Sequence, residues 1–107
     1  MERVIRLVTV LALAVAASPL HAQGNQQGGL AEARQVCSEC HAIQKGQVPS
    51  PNPRSPTFVE LANAPGMTAV ALLVALTTPH AGMPMFILTT EQRENVIAYI
   101  LSLKERN

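Results

Sequence analysis

One short motif in this sequence restricts the chain to very few kinds of site. It is Cys-Ser-Glu-Cys-His at positions 37–41. On a helical turn, side chains three residues apart share a face, with Cβ atoms about 5–6 Å apart. Cys37 and Cys40 can therefore both form thioether bonds to one edge of a porphyrin, and His41 follows where it can bind the iron. This pattern is typical of c-type haem attachment.

Three other kinds of site also use a Cys-x-x-Cys pair: a zinc half-site, a redox-active disulfide and a structural disulfide. A structural zinc ion needs further ligands, yet the sequence has no third cysteine, and His21 and His80 lie apart from any second cluster. A thioredoxin-like redox pair lies next to a βαβ pattern, and the sequence shows no alternating strands. Haem is therefore the preferred interpretation. A colourless zinc or disulfide module remains the alternative.

The first 22 residues have the pattern of a secretory signal peptide. Arg3 and Arg6 precede an apolar stretch at 7–17, which is long enough for a signal peptide but shorter than the roughly 20 residues of a transmembrane helix. The best cleavage point follows Ala22, although Leu20 is larger than the residue usual there. We expect export to the periplasm and no membrane span after cleavage, with an uncleaved N-terminal anchor as the alternative.

The mature chain, residues 23–107, makes one small domain with few aromatic side chains. Those side chains are Phe58, Phe86 and Tyr99, and there is no tryptophan. A domain of this size buries only about 60–65% of its unfolded surface and is marginal without a staple or cofactor. A covalently held haem can supply the missing apolar centre, so we predict that the chain without haem is largely unfolded.

Charge in the mature chain is balanced. There are six basic and six acidic residues: Arg34, Lys45, Arg54, Arg93, Lys104 and Arg106 against Glu32, Glu39, Glu60, Glu91, Glu94 and Glu105. This balance argues against strong electrostatic binding of nucleic acid or anionic lipid. A partner surface is expected to be small and mostly apolar, as in weak redox encounters.

Four segments have a helical pattern, and none has a convincing strand pattern, so the expected fold class is all-α. The helices are predicted at 29–41, 57–63, 69–77 and 90–104. Residues 23–28 are expected to form a flexible polar tail, and the proline-rich stretch 45–56 a stiff loop. Thr57, Thr68 and Thr89 occupy N-cap positions, and the first and last are followed three residues later by Glu or Gln, as in a capping box.

The loop at 78–88 contains the candidates for a second iron ligand. If a side chain fills that position the iron passes electrons, and if the position is open it can bind a gas or peroxide. Met83 precedes a proline, which favours extended backbone, so Met83 and Met85 point to opposite sides and only one can face the iron. His80 is the bis-histidine alternative, and Met67 is a weaker candidate because it begins a helix.

The chain resembles a small bacterial class I c-type cytochrome, a mono-haem electron carrier. Three separate matches carry the resemblance: Gly29 eight residues before Cys37, the motif at 37–41, and Met83-Pro84 followed by the terminal helix. Together they span nearly all of residues 29–104. The domain arrangement implied is a signal peptide at 1–22, a tail at 23–28 and a cytochrome c domain at 29–107.

The resemblance implies a fold and a set of site residues. About four helices wrap around one covalently bound haem c, and the N- and C-terminal helices cross, with Gly29 against Tyr99. Ala33 replaces an aromatic residue that many members carry. The axial iron ligands are His41 and Met83. The carbonyl of a proline accepts a hydrogen bond from the ligand histidine, and Pro56 is the best match, with Pro53 the alternative.

The same resemblance implies a function. The chain would carry single electrons between redox protein partners by Fe(II)/Fe(III) cycling and would not itself be an enzyme. One alternative is the haem c subunit of a periplasmic dehydrogenase. Another is a gas sensor or weak peroxidase with an open iron position.

Overall fold

A computed structural model describes residues 24–106 of the chain, and this part of it is helical. The four helices are α1 Gln26–Val36, α2 Phe58–Asn63, α3 Ala69–Thr77 and α4 Thr90–Ser102. No β-strand occurs within the described residues, so the all-α prediction is confirmed. The predicted signal peptide at 1–22 lies outside the described residues.

Helix α1 begins earlier and ends earlier than the sequence predicts. The side-chain oxygen of Asn25 accepts hydrogen bonds from the N–H groups of Gln27 and Gly28 and so caps the helix. The expectation of a flexible tail is therefore wrong for residues 26–28, which are helical. At the other end the helix stops at Val36 instead of residue 41.

The other three helices lie close to their predicted positions. Helices α2 and α3 end at the predicted residues, and α4 ends at Ser102, two residues before the predicted end. Both capping boxes are formed: Thr57 and Thr89 each accept a backbone N–H with the side-chain oxygen, and the Glu or Gln three residues on returns the bond. Thr68 caps α3 by accepting from the N–H of Ala71 at 3.1 Å.

Helices α1 and α4 cross at close range, and a glycine permits it. A Cβ atom placed on Gly29 would overlap the backbone carbonyl of Asn95 and lie 2.6 Å from the Cβ of Tyr99. Ala33, one turn further along α1, is fully buried. The crossing of the N- and C-terminal helices with Gly29 against Tyr99 is therefore confirmed, and the small side chain of Ala33 fits within it.

The core lies mainly between α4 and the segments that pack on it. Its buried members are Ala33, Ile43, Phe58, Ala62, Leu72, Val96, Ile97, Tyr99 and Ile100. The Tyr99 hydroxyl donates a hydrogen bond to the backbone carbonyl of Ile43 at 2.5 Å, and the rings of Tyr99 and Phe58 are tilted with centroids 6.2 Å apart. These contacts attach the loop between α1 and α2 to α4.

Candidate functional site

The two cysteines occupy a tight turn directly after α1. The N–H of Cys37 donates to the carbonyl of Ala33 at 2.9 Å, as in a continuing helix. The N–H groups of Cys40 and His41 both donate to the carbonyl of Cys37, at 3.2 and 2.9 Å. The motif therefore keeps a compact turn beyond the end of the helix, and the two thiols, both half-buried, are not joined in a disulfide.

His41 is held in one orientation by the loop before α2. Its imidazole is buried, and Nδ1 lies 2.6 Å from the backbone carbonyl oxygen of Pro56. A carbonyl can only accept, so Nδ1 carries the hydrogen in this bond, and the neutral ring keeps a free lone pair on Nε2. This is the arrangement that metal-binding histidines adopt. The ring of Phe58 packs against the imidazole with centroids 5.5 Å apart.

A set of backbone bonds positions the Pro56 carbonyl. The N–H of Phe58 donates to the carbonyl of Ala42 at 2.9 Å, and the N–H of Ala42 donates to the hydroxyl of Ser50 at 3.0 Å in a buried bond. The capping box at Thr57 fixes the residue that follows Pro56. These bonds hold the backbone on both sides of the Pro56 carbonyl in place.

The Cys37 thiol is the most perturbed titratable group of the motif. Desolvation by burial, with a smaller contribution from the negative charge of Glu32, raises the pKa of Cys37 to about 11. The thiolate is the reactive form of cysteine, so at neutral pH the folded arrangement keeps Cys37 unreactive.

Across from Cys37, the segment after α3 forms an apolar cavity with the end of α1. Its lining residues are Val36, Cys37, Ala75, Leu76, His80, Met83, Pro84, Met85, Phe86 and Leu88. Met83 is half-buried, whereas Met85 is 52% exposed. Met67 lies elsewhere and packs against the core. Of the candidate ligands, the structure therefore gathers His80, Met83 and Met85 near Cys37.

One contact at this cavity was not predicted from the sequence. The Nε2 atom of His80 lies 3.1 Å from the Sδ atom of Met83. The turn between them contains Gly82 with a φ of +79°, a backbone conformation that glycine adopts without strain. Gly82 was the signal in the sequence that could have predicted a turn bringing His80 and Met83 together.

Comparison with known proteins identifies the family. The cytochrome c family matches residues 29–104 of the chain. The chain belongs to the cytochrome c family. It is 34% identical over 95 residues to cytochrome c-552 of Bradyrhizobium diazoefficiens, a match that covers 88% of this chain and 90% of that protein. No solved structure matches the chain significantly.

Membership makes this chain a small class I c-type cytochrome that carries electrons and bears one covalent haem c. Its partners are redox proteins. The groups at this site fit that cofactor: two thiols at the required spacing, an imidazole whose Nδ1 is bonded to a backbone carbonyl, and an apolar cavity beside Cys37. Within residues 24–106, no helix is both long enough and apolar enough to cross a membrane.

Proposed function

We propose that this chain is a periplasmic mono-haem cytochrome that passes single electrons between redox proteins. Cys37 and Cys40 hold the haem through thioether bonds, and His41 and Met83 are the axial iron ligands. The observation that carries the proposal is the bond between His41 Nδ1 and the Pro56 carbonyl. It directs the lone pair of His41 Nε2 away from the backbone, where a metal can take it.

The bound haem supplies the Fe(II)/Fe(III) couple. Around it, the Pro56 carbonyl fixes the tautomer of His41 and raises its basicity, so that the same nitrogen serves in both oxidation states. A thioether ligand such as Met83, in a pocket of apolar side chains, favours Fe(II) and raises the reduction potential. The stiff loop and the two thioether bonds would keep the arrangement of the iron ligands nearly the same in Fe(II) and Fe(III). Little rearrangement would then accompany each electron transfer, so the transfer would be fast.

Burial favours Met83 over Met85 as the thioether ligand. The two residues flank Pro84, which fixes the backbone between them and lacks a backbone N–H. Met83 is half-buried at the cavity, whereas Met85 is 52% exposed. A weak iron–thioether bond persists best where water is excluded, and this condition is better met at Met83.

The surface beside the cavity suits a redox partner. Phe86 is 43% exposed and Ile87 fully exposed, next to the exposed Met85. Apolar side chains clustered on a surface of balanced charge suit a small, transient contact. The same surface would also suit a permanent interface with a periplasmic dehydrogenase. The mass of the native particle in a cell extract separates a free carrier from a subunit.

The proposed location follows from the sequence at 1–22, with cleavage after Ala22. Two arginines before a short apolar stretch favour export, and covalent haem attachment to this family of proteins takes place outside the cytoplasm. The N-terminal residue of the mature protein, determined by sequencing or mass, tests this part of the proposal.

Optical spectra of the ferric holoprotein test the ligand assignment. The wild-type protein is expected to show the weak far-red band of methionine–iron ligation. The Met83→Ala variant loses this band and the matched Met85→Ala variant keeps it. The reverse pattern would assign the ligand to Met85. If the wild type lacks the band and binds carbon monoxide rapidly, the iron position is open, which would favour a gas sensor or peroxidase.

A further inference from the structure

We infer that His80 is a reserve iron ligand, arranged to take the position of Met83 when the thioether is lost. The inference rests on the proposed His41/Met83 ligation. It begins from the short contact between His80 Nε2 and Met83 Sδ, 3.1 Å. Both atoms belong to side chains that line the cavity beside Cys37.

A tight turn holds the two side chains together. The N–H of Met83 lies 3.4 Å from the carbonyl oxygen of His80, and the two residues form an isolated antiparallel bridge. Gly82 has a φ of +79°, as the third residue of a type II turn requires. The backbone therefore keeps His80 beside Met83 regardless of what either side chain binds.

The hydrogen bonding of His80 shows which ring nitrogen is free. Its Nδ1 lies 3.1 Å from the backbone carbonyl of Thr78. A carbonyl only accepts, so Nδ1 donates in this contact, and an imidazole tautomer that carries its hydrogen on Nδ1 has its lone pair on Nε2. The thioether sulfur of Met83 is also an electron-pair donor. In that tautomer, two atoms that can each bind a metal lie side by side at the edge of the cavity.

This arrangement repeats that of His41. In both residues Nδ1 donates to a backbone carbonyl, that of Pro56 for His41 and that of Thr78 for His80. The Nε2 of His80 faces the Met83 sulfur and not the backbone. That pattern of outer hydrogen bonding is characteristic of metal-binding histidines. His80 is exposed, so its ring can move without disturbing the core.

One iron face has room for one of the two donors. Imidazole is a good ligand for iron, while thioether favours the ferrous state. In the exchange, the iron–sulfur bond of Met83 breaks and an iron–nitrogen bond to His80 forms, and no electron or proton is transferred. The iron would therefore stay six-coordinate, and closed to small ligands, once the Met83 sulfur has dissociated.

The test uses four forms of the haem-loaded protein: wild type, Met83→Ala, His80→Ala and the double variant. Ferric optical and electron paramagnetic resonance spectra report the spin state and ligands. Met83→Ala is expected to be low-spin with a bis-imidazole signal and no far-red band. The double variant is expected to be high-spin. His80→Ala keeps the methionine band of the wild type.

Added imidazole shows whether the pocket of the double variant is intact. It should convert the double variant to a low-spin form, and it should bind Met83→Ala about tenfold more weakly or worse, because it must displace a tethered ring. Equal imidazole affinity in the two variants would overturn the inference.

A high-spin Met83→Ala variant would also overturn the inference. A low-spin Met83→Ala variant that keeps the far-red band would overturn it too, because the band would then come from Met85. A wild-type protein without the methionine band contradicts the proposed ligation itself. The wild-type spectrum therefore tests the proposed His41/Met83 ligation, and the spectra of the variants test the role of His80.

Discussion

The substitution Gly29→Ala tests the close crossing of α1 and α4. An added Cβ would overlap the backbone carbonyl of Asn95 and lie 2.6 Å from Tyr99 Cβ. The backbone of Asn95 cannot rotate away as a side chain can, so α1 or α4 must move. Overpacking of this kind costs about 1–3 kcal/mol, and the higher helix propensity of alanine offsets up to about 1 kcal/mol. Because the overlap is with backbone, we expect a cost at the upper end of that range. The net loss is then about 2 kcal/mol, or about 8–16 °C in Tm for a domain of this size.

Gly28→Ala is the matched control. Its Cβ would lie 3.0 Å from Nδ2 of the Asn95 side chain and 3.7 Å from the Cβ of Asn25, and it would meet no backbone atom at closer range. The Asn95 side chain can shift by a few tenths of an ångström. The same gain in helix propensity applies, so stability should change by no more than about 1 kcal/mol. Both variants are compared as holoproteins by thermal and guanidinium unfolding. Equal stability of Gly29→Ala and Gly28→Ala would refute the close approach of α1 and α4.

Three further predictions concern the loop, α2 and the chain without haem. Tyr99→Phe removes the hydrogen bond to the Ile43 carbonyl and should lower the unfolding free energy by about 1–2 kcal/mol. Burial, opposed by Arg34, raises the pKa of Tyr99 above 10.0, so this stabilisation is complete below pH 10 and lost as pH rises through the folded-state pKa. Wild type should therefore lose stability above pH 10 more steeply than Tyr99→Phe in pH-dependent unfolding; parallel curves would contradict this. Thr57→Ala removes the cap of α2 and should lower the unfolding free energy by about 1 kcal/mol, whereas Glu60→Gln keeps the capping box and serves as its control in the same assay. The Cys37→Ala, Cys40→Ala double variant, made without haem, should show little helix by far-ultraviolet circular dichroism, and full native helicity would show that the protein part folds alone.

Local signals in the sequence were sufficient for three of the four helices. Thr57, Thr68 and Thr89 are N-caps whose partners lie three residues away, so the boundaries of α2, α3 and α4 depend on neighbours along the chain. The start of α1 depends on a distant residue as well as on its neighbours. Asn25 caps it, but its backbone N–H also donates to Asn95 Oδ1 at 2.7 Å, a contact across the fold that glycine- and glutamine-rich sequence does not reveal.

The candidate site was also predicted only in part, because some of its residues are set by local sequence and others by contacts that the sequence does not reveal. The motif at 37–41 specifies its own chemistry, and the family resemblance pointed to Pro56, whose carbonyl lies against His41 in the structure. The contact between His80 and Met83 depends on the turn at Gly82. The proline after Met83 gave an expectation for the segment from Met83 to Met85 and none for the residues before Met83. In the structure both methionines line the cavity beside Cys37.

The central claim is that the chain works and folds around a haem bonded to Cys37 and Cys40. The most direct test is the intact mass of protein exported by a host that matures c-type cytochromes, combined with a thiol assay under denaturing conditions. The account predicts the mass of the mature chain plus one haem, with no free thiol. Colourless protein at the mass of the bare chain, with both thiols free, would contradict it.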